Sequence, residues 1–529
     1  MQSAIGKIVD VEGVSVQTMP ETPTTADLTT DTDTSQGRRS RNNAVLAIAC
    51  LAQFMVVLDV SIVNVALPSI GRDLHYSATG LQWVVNAYVL TFAGFLLLGG
   101  RAADIFGRRR VYLAGLWLFT AASLAGGLAT NSTWLTVARA TQGVGGAILS
   151  PATLTILVTT FKGRDRARAI GVWSAVAGAG GAAGSILGGV LTAEISWRWV
   201  LFVNIPVGIA ATVAALAYLT ETRGHREGGQ PRAKLDVVGA VAVTVGLSAL
   251  VYAIVGTATR PWTSAVTVVF LAVAVVVLVG FGIYEAKGAS NPLVPLDLFR
   301  SRSVWGANVV MFLVGAAFFA MWYFLSLYLQ DVLGYGALRA GMAFLPMALV
   351  IIGGAQTSSR LLPRIGARPL LLVGTLAATV GFFWLSGITV RGSYWVHVLG
   401  PGCLISLALG LLFTPLAATA TSSVAQSQAG LASGVLNTSR QVGGSLGLAI
   451  LATIATDRTN SMLRSAHVQG SAPTLATLKA LDSGFVRAFQ VAAVVTAAGF
   501  VASFVVPRVR KTDTGQAEGA LDASAAHAG

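Results

Sequence analysis

Long runs of apolar residues alternate with short polar segments along most of the chain. Each run is close to the roughly 20 residues that a helix needs to cross a bilayer core of about 30 Å. The runs are continuously apolar, whereas strands of a transmembrane β-barrel alternate between apolar and polar residues. The pattern therefore predicts fourteen spanning helices, near residues 44–69, 81–100, 111–130, 134–158, 168–192, 199–219, 235–256, 264–284, 304–330, 340–361, 369–388, 395–420, 431–456 and 485–506.

Basic residues are concentrated in alternate polar segments. If the N-terminus is cytoplasmic, the inner segments include the cluster Arg108, Arg109 and Arg110, and the outer segments carry far fewer basic residues. An excess of Lys and Arg is typical of cytoplasmic loops. The bias predicts an even number of spans with both termini in the cytoplasm.

Composition agrees with this picture. The chain is 54% hydrophobic and only 11% charged, with a mean hydropathy of +0.70, against about 25% charged residues in soluble domains. A net charge of +14 would suggest nucleic acid binding in a soluble protein, but here the charges follow the membrane topology. We expect an integral membrane protein whose partners are small molecules, protons and lipid, with no nucleic acid and no obligate protein partner.

The chain divides into five predicted parts. These are a disordered cytoplasmic tail (1–43), a six-helix bundle (44–219), a segment with two additional helices and linkers (220–303), a second six-helix bundle (304–506) and a disordered cytoplasmic tail (507–529). The segment GRAADIFGRRR (100–110) has a degraded echo in SRLLPRIGARP (359–369). Spans 5 and 13 are both rich in glycine. The two bundles are therefore predicted to be related halves, an arrangement typical of secondary transporters.

Several motifs follow one another in a fixed order. They are LDVSIVNVALP (58–68), LQWVVNAYVLTFA (81–93), GRAADIFGRRR (100–110), RATQGVGGA (139–147), WRWVLFVNIPVG (197–208), YLQDVLGY (328–335) and LNTSRQVGGSLG (436–447). Over residues 44–506 the chain resembles the fourteen-helix drug:proton antiporter family of the major facilitator superfamily. The resemblance implies an all-α major facilitator fold with two six-helix bundles and two inserted helices.

Asp59 is the acid that lies well inside a predicted span. An intramembrane carboxylate is costly and indicates function, and desolvation favours proton capture near neutral pH. The resemblance gives the acid of this motif a coupling or structural role. The alternative is a carboxylate that stays permanently paired.

Arg139 lies in span 4 near the expected depth of Asp59, with Gln142 one turn further along. A cation close to a carboxylate changes its proton affinity, so making or breaking that contact provides a way to control protonation. Similar transporters use the arginine of this motif in proton coupling. The alternative is an arginine that bonds only to backbone carbonyls between helices.

A run of small residues in span 5 permits close approach of a neighbouring helix. The run resembles the family's antiporter motif, except that Ser185 replaces the usual proline, which removes a helix-bending residue. Packing alone also explains the spacing. Its residues are Gly171, Gly180, Gly184, Ser185, Gly188 and Gly189.

The segment after span 2 resembles a cytoplasmic gate that locks one state of the transport cycle. Asp104 and Arg108 are four residues apart and can pair on a helix. A cluster of charges that only sets topology gives the same pattern. The predicted gate residues are Gly100, Asp104, Gly107, Arg108 and Arg109.

Polar and aromatic residues inside the spans are candidates for lining the substrate site, although many of them will face lipid or neighbouring helices. Aromatic faces suit flat cations, and large apolar pockets suit drug-sized molecules. Arg440 has no intramembrane acid beside it in its own half, so binding an anionic group, neutralising helix ends or reaching Asp59 all stay open. The candidates are Gln53, Asn64, Asn86, Tyr88, Trp173, Asn308, Trp322, Tyr323, Phe324, Gln356 and Arg440.

No ATP-binding motif, metal-ligand spacing or nucleophile–base set is visible in the sequence. We therefore expect no enzyme activity, no metal and no cofactor, with the proton gradient as the energy source. The predicted function is proton-coupled export of drugs, antibiotics or related amphiphilic compounds across the cytoplasmic (inner) membrane of a bacterium, by alternating access. The alternative is a narrow exporter of an endogenous metabolite, such as a self-made antibiotic, siderophore, amino acid or lipid, on the same fold.

Overall fold

The computed structural model describes residues 25–221, 235–289, 292–294, 296–424, 428–465 and 475–507, without the side chains of 25–40, 104, 163, 164, 167 and 296. Within these ranges the chain is helical and contains no strand. The α-helices are α1 (Thr25–Asp73), α2 (Ala78–Leu81), α3 (Trp83–Phe106), α4 (Arg108–Gly127), α5 (Ser132–Thr160), α6 (Gly163–Glu194), α7 (Trp199–Phe202), α8 (Asn204–Tyr218), α9 (Val237–Gly256), α10 (Ala265–Ile283), α11 (Arg302–Leu327), α12 (Ala337–Ala343), α13 (Leu345–Ile365), α14 (Ala367–Leu385), α15 (Gly400–Thr421), α16 (Ala429–Ser465) and α17 (Leu475–Ser503).

Twelve helical segments of the described chain are long and apolar enough to cross a membrane. The other two predicted spans are helices as well, α4 and α16, but they carry more basic and polar residues. Both pack among the apolar helices, α4 against α5 and α16 against α11. The protein is therefore an all-helical, multi-pass membrane protein, as the apolar runs predict.

The predicted tails lie mostly outside the described residues, which begin at 25 and end at 507. Helix α1 begins at Thr25 and therefore includes residues 25–43. The sequence pattern assigns these residues to a disordered N-terminal tail. Its segment from Arg41 to Asp73 is the part apolar enough to span a membrane.

The same pairs of helices pack together in the N-terminal helices (α1–α8) and the C-terminal helices (α11–α17). Helix α6 packs on α1 as α16 packs on α11, and α3 and α4 pack on α5 as α13 and α14 pack on α15. Glycines allow the close approach in both cases: a Cβ at Gly184 would lie 2.8 Å from the carbonyl oxygen of Leu58, and one at Gly447 would lie 2.5 Å from the Cβ of Ala316. The packing supports two related halves.

The echo between residues 100–110 and 359–369 is also visible in the backbone. Gly107 separates α3 from α4 with a φ of 102°, and Gly366 separates α13 from α14 with a φ of 80°. Residues with a Cβ rarely adopt this region, whereas glycine enters it readily. Each half therefore makes the same sharp helix–helix turn at a glycine.

Helices α9 and α10 form the inserted pair. Helix α9 packs against both α3 and α16, with Leu247, Val251 and Val255 forming one apolar cluster with Leu90 and Ala449. Helix α10 packs on α9 and exposes most of its valines, as expected of a helix that faces lipid. The inserted pair therefore covers the seam where α3 of one half meets α16 of the other.

Hydrogen bonds join the two halves on one side of the bundle, which we call the Asp73 side because α1 ends there. The hydroxyl of Ser326 donates to the carbonyl of Asn64 at 2.6 Å, and Nε2 of Gln330 donates to the carbonyl of Val65 at 2.9 Å. The side on which Gly107 lies is called the Gly107 side. In the described chain the halves are thus held together near the Asp73 side.

Candidate functional site

Asp59 lies at the centre of a polar cluster inside the N-terminal helices. Its side chain projects from α1 and is 0% exposed. Oδ2 accepts a hydrogen bond from Arg139, and Oδ1 accepts hydrogen bonds from Gln142 and Asn204. The structure thus brings together the three residues predicted for proton coupling, Asp59, Arg139 and Gln142.

Arg139 and Gln142 reach Asp59 from α5. Nη1 of Arg139 is 2.6 Å from Oδ2 of Asp59, and Nε2 of Gln142 is 2.8 Å from Oδ1. Nη1 of Arg139 also donates to Oε1 of Gln142 at 2.7 Å, because residues three apart share one helix face. Removing one partner of a buried ion pair typically costs about 3–5 kcal/mol, so Asp59 and Arg139 depend on each other in this position.

Two further residues complete the cluster, and the sequence did not single them out as site residues. Nδ2 of Asn204, at the start of α8, donates to Oδ1 of Asp59 and to Oγ of Ser123, both at 3.0 Å. Ser123, on α4, also accepts from Gln142 at 3.2 Å. Asn204 is a polar residue within the largely apolar motif 197–208, and this contrast could have identified it from the sequence. Nothing in the sequence distinguishes Ser123 from other serines in spans.

Helix α3 supports the guanidinium of Arg139. Nε of Arg139 donates to the carbonyl of Val84 at 3.1 Å, and its Cζ lies 4.5 Å from the ring centroid of Tyr88. Tyr88 is only 1% exposed. A predicted substrate-lining residue is therefore buried beneath the arginine, where it stabilises the cation.

The cluster has two distinct charge states. When Asp59 is ionised, three donors satisfy its oxygens and its charge balances that of Arg139. When Asp59 is protonated, one oxygen becomes a donor and the charge that holds Arg139 is lost. Loss of the carboxylate charge would therefore remove the ion pair that joins α1 to α5.

The small residues of α6 make contacts that differ along the helix. Gly180, Gly184 and Gly188 face α1, whereas a Cβ at Gly189 would lie 2.8 Å from the carbonyl of Ala337, next to α12. A Cβ added to Gly171, near the start of α6, would meet no neighbouring atom within 4 Å. The packing role thus belongs to the Asp73 side of the helix.

Ser185 lies where α6 meets α1 and α12. Its hydroxyl is 3.0 Å from Oγ of Ser61, and its carbonyl packs against Gly341. The helix continues through this position without interruption from Gly163 to Glu194. The helix is therefore uninterrupted where a proline would bend it, and the serine forms a hydrogen bond to α1.

The predicted gate lies at the turn between α3 and α4. Nη2 of Arg109 donates to the carbonyl of Leu216 at 3.0 Å, and Nε of Arg110 lies 3.6 Å from a carboxylate oxygen of Glu221. The side chain of Asp104 lies outside the described residues. Arg109 and Arg110 therefore contact the end of α8 and Glu221, which lies three residues beyond it.

The substrate-lining candidates fall into three groups by exposure. Gln356 is exposed, and Asn64, Trp173, Trp322 and Arg440 are partly buried. The remaining candidates are buried: Gln53, Asn86, Tyr88, Asn308, Tyr323 and Phe324.

Some of the buried candidates have identifiable partners. Phe324 packs on Phe485 and Phe489 of α17, within its own half. Oδ1 of Asn86 accepts from Ser445 of α16 at 3.0 Å. Phe324 therefore belongs to the core of the C-terminal helices, and Asn86 belongs to the contact between halves.

Arg440 does not reach Asp59, whose described partners all lie in the N-terminal helices. Instead, Nε and Nη2 of Arg440 donate to Oδ1 of Asn437 at 3.2 and 2.9 Å, and its Cζ lies 5.1 Å from the ring centroid of Phe413. Of the open alternatives for Arg440, the contact with Asp59 is therefore not formed.

Two buried acids at the ends of the inserted helices were not predicted. Asp236 and Glu285 are 6% and 5% exposed. Asp236 caps α9 by accepting from the amide of Gly239 at 2.8 Å, and Glu285 accepts from the amides of Leu293 and Val294. The linker after α10 thus folds back onto Glu285.

Comparison with known proteins identifies the family. The model of the Major Facilitator Superfamily matches residues 49–448. The chain is 45% identical to the cephamycin export protein CmcT of Amycolatopsis lactamdurans over 423 residues, covering 79% of this chain and 86% of that protein. It is 40% identical to the puromycin resistance protein pur8 of Streptomyces alboniger over 432 residues, covering 81% and 84%.

A solved structure shows the same fold. A bacterial homologue of the human lysosomal transporter Spinster, in an inward-facing and unoccupied conformation, aligns with a TM-score of 0.61 and 17% identity. The alignment covers 88% of this chain and 98% of that one. With a family model that spans most of the chain and relatives of high identity, the protein belongs to the Major Facilitator Superfamily of membrane transporters.

Proposed function

We propose that the protein is a proton-coupled exporter of drugs, antibiotics or related amphiphilic compounds across the cytoplasmic membrane of a bacterium. The observation that carries the proposal is the buried Asp59–Arg139 pair within a major facilitator fold. The names of the relatives support export, since one is a cephamycin exporter and another a puromycin resistance protein. The energy source is the proton gradient, with no cofactor.

The orientation follows from the distribution of arginines. The Gly107 side carries Arg41, Arg109 and Arg364, and positive residues are typical of cytoplasmic loops. Both termini then lie in the cytoplasm and the Asp73 side faces outward. In this orientation the hydrogen bonds between the halves close the outer side, and we assign the turn at Gly107 to the cytoplasmic gate.

Contacts on α1 and α3 link Asp59 to the closure. The carbonyls of Asn64 and Val65, one to two turns beyond Asp59 on α1, accept the hydrogen bonds from the other half. Asn86, close to Val84 on α3, binds Ser445. Any movement of α1 relative to α5 therefore changes the contacts that close the outer side.

The cycle then uses the two charge states of the cluster in turn. With Asp59 ionised and paired to Arg139, the outer side is closed and the compound enters from the cytoplasm. After the halves rearrange, a proton from outside neutralises Asp59 and releases Arg139. Return to the first state carries the proton inward, so export is driven by the proton gradient.

Substitution of Asp59 tests this proposal. In proteoliposomes with an imposed pH difference, we expect Asp59→Asn to abolish gradient-driven export, because the amide cannot exchange a proton. Asp73→Asn is the matched control, since Asp73 lies on the same helix and pairs with Arg198 but is half exposed. Asp59→Asn protein that still exports in response to the pH difference contradicts the proposal.

The second candidate is a narrow exporter of one endogenous metabolite. It is favoured by the names of the two relatives described above, each of which refers to a single antibiotic. Expression in cells that lack other pumps separates the two. Protection against many unrelated drugs supports the broad exporter, and protection against none of them supports the narrow one.

A further inference from the structure

Arg440 is a cation in the middle of the C-terminal helices. It is twelfth in α16, which puts it about 16 Å along the helix axis at 1.5 Å per residue. That distance corresponds to the centre of a bilayer core of about 30 Å. A charge at this depth indicates function by default.

The described chain offers Arg440 no acidic partner. In the C-terminal helices and the residues joining them the described acids are Asp331, Asp457 and Asp482, and none forms an ion pair with it. Asp457 is on the same helix but about 25 Å further along. Because a guanidinium keeps its proton in proteins, Arg440 is a permanent charge without a described counter-ion.

The geometry around Arg440 orients the guanidinium without satisfying it. The single oxygen Oδ1 of Asn437 accepts from both Nε and Nη2, while the ring of Phe413 on α15 lies against the guanidinium. Five N–H donors are thus matched by one described acceptor oxygen. The remaining donors are the two N–H groups of Nη1 and the second N–H group of Nη2.

The side chain is also not sealed within the core. Asn437, Arg440 and Phe413 are all partly buried, whereas the neighbours Leu436 and Gln441 are buried. The backbone carbonyl of Arg440 packs against Gly315 of α11. The helix backbone is therefore fixed to α11, and the charged end is directed away from it, towards α15.

We propose that Arg440 binds an anionic group, such as a carboxylate, on the exported compound. The proposal rests on the proposed export function and specifies its substrate class as amphiphilic anions or zwitterions. A carboxylate matches the planar fork with two parallel hydrogen bonds. The ring of Phe413 provides an apolar surface for the adjoining part of the same molecule.

A positioning role in helix packing predicts different behaviour. If Arg440 only joined α15 to α16 through Phe413, its loss would weaken transport of every compound equally. If it binds an anion, its loss weakens only compounds that carry one. A pair of compounds that differ in one charge therefore separates the two roles.

The test uses a fluorescent xanthene dye with a free carboxylate and the methyl ester of the same dye. Binding to purified full-length protein and export from proteoliposomes are measured for wild type, Arg440→Gln and Arg440→Lys. A charged hydrogen-bonded contact contributes about 1.5–3 kcal/mol, which corresponds to roughly 10- to 150-fold in affinity. We expect Arg440→Gln to lose that factor for the carboxylate and to keep its affinity for the ester.

Arg440→Lys should recover part of the carboxylate affinity, because the charge returns without the fork. Arg458→Gln, which removes a charge from the exposed end of the same helix, is the control. Equal losses for both dyes, unchanged binding in Arg440→Gln, or no preference of wild type for the carboxylate overturns the inference. If the proposed export function is wrong, the result is different: the dyes still bind, but neither dye is exported in response to the gradient.

Discussion

At the scale of single residues, the account depends on how completely ionised Asp59 is satisfied. Arg139, Gln142 and Asn204 come from two helices, yet all donate to the same carboxylate, and Ser123 joins the two amides. Each donor stabilises the carboxylate with a charge-assisted hydrogen bond. Three donors from two helices therefore hold Asp59 in place, and Arg139 does not do so alone.

Removing one donor should weaken the cluster. In Asn204→Ala the buried carboxylate of Asp59 loses one hydrogen bond, so the free energy of unfolding should fall by about 1.5–3 kcal/mol. Thermal unfolding of the detergent-purified protein measures the loss.

Thr212→Ala, on the same helix and bonded to the carbonyl of Gly208, is the control and should lose less stability. Wild-type stability in Asn204→Ala, or an equal loss in Thr212→Ala, would count against the contribution of the Asn204–Asp59 hydrogen bond.

At the scale of helices, glycine positions decide how α6 lies on α1. Gly184 and Gly188 contact backbone atoms of Leu58 and Ile62, the residues on either side of Asp59 and Ser61 on that helix. The contact therefore fixes the position of the segment of α1 that carries the proton site. Gly171 lies on the same helix in open space.

Substitution by leucine should distinguish these positions. Gly184→Leu should lower the free energy of unfolding by about 1–3 kcal/mol or more, because the new side chain meets Ser61 and the carbonyl of Leu58. Gly171→Leu should change it little. Thermal unfolding of the detergent-purified variants measures both, and equal stability would show that α6 does not depend on this contact.

The apolar runs were sufficient to predict the helices, but side-chain partners were only partly predictable. The pairing of Asp59 with Arg139 was predictable because both residues were expected at a similar depth in the membrane. Asn204 was missed because depth alone does not reveal which face of α8 meets α1. Asp236 and Glu285 were missed because their burial depends on how the linker after α10 packs, which no local pattern encodes.

At the scale of the whole molecule, the proposed proton site and the contacts between halves belong to the same helices. Helix α1 carries Asp59 and the carbonyls that bind Ser326 and Gln330, and α3 carries Asn86, which binds Ser445. The inserted helix α9 covers the seam between α3 and α16. On the proposed mechanism, protonation of Asp59 and closure of the outer side therefore belong to one rearrangement, in which α9 moves with the seam.

The most direct measurement of this coupling is proton release on substrate binding. An exported compound is added to purified protein in weakly buffered detergent solution near neutral pH. The change in proton concentration is recorded for wild type and Asp59→Asn. The account predicts that binding favours the ionised Asp59–Arg139 pair, so wild type releases protons and Asp59→Asn releases none. Release of the same size from both proteins would contradict it.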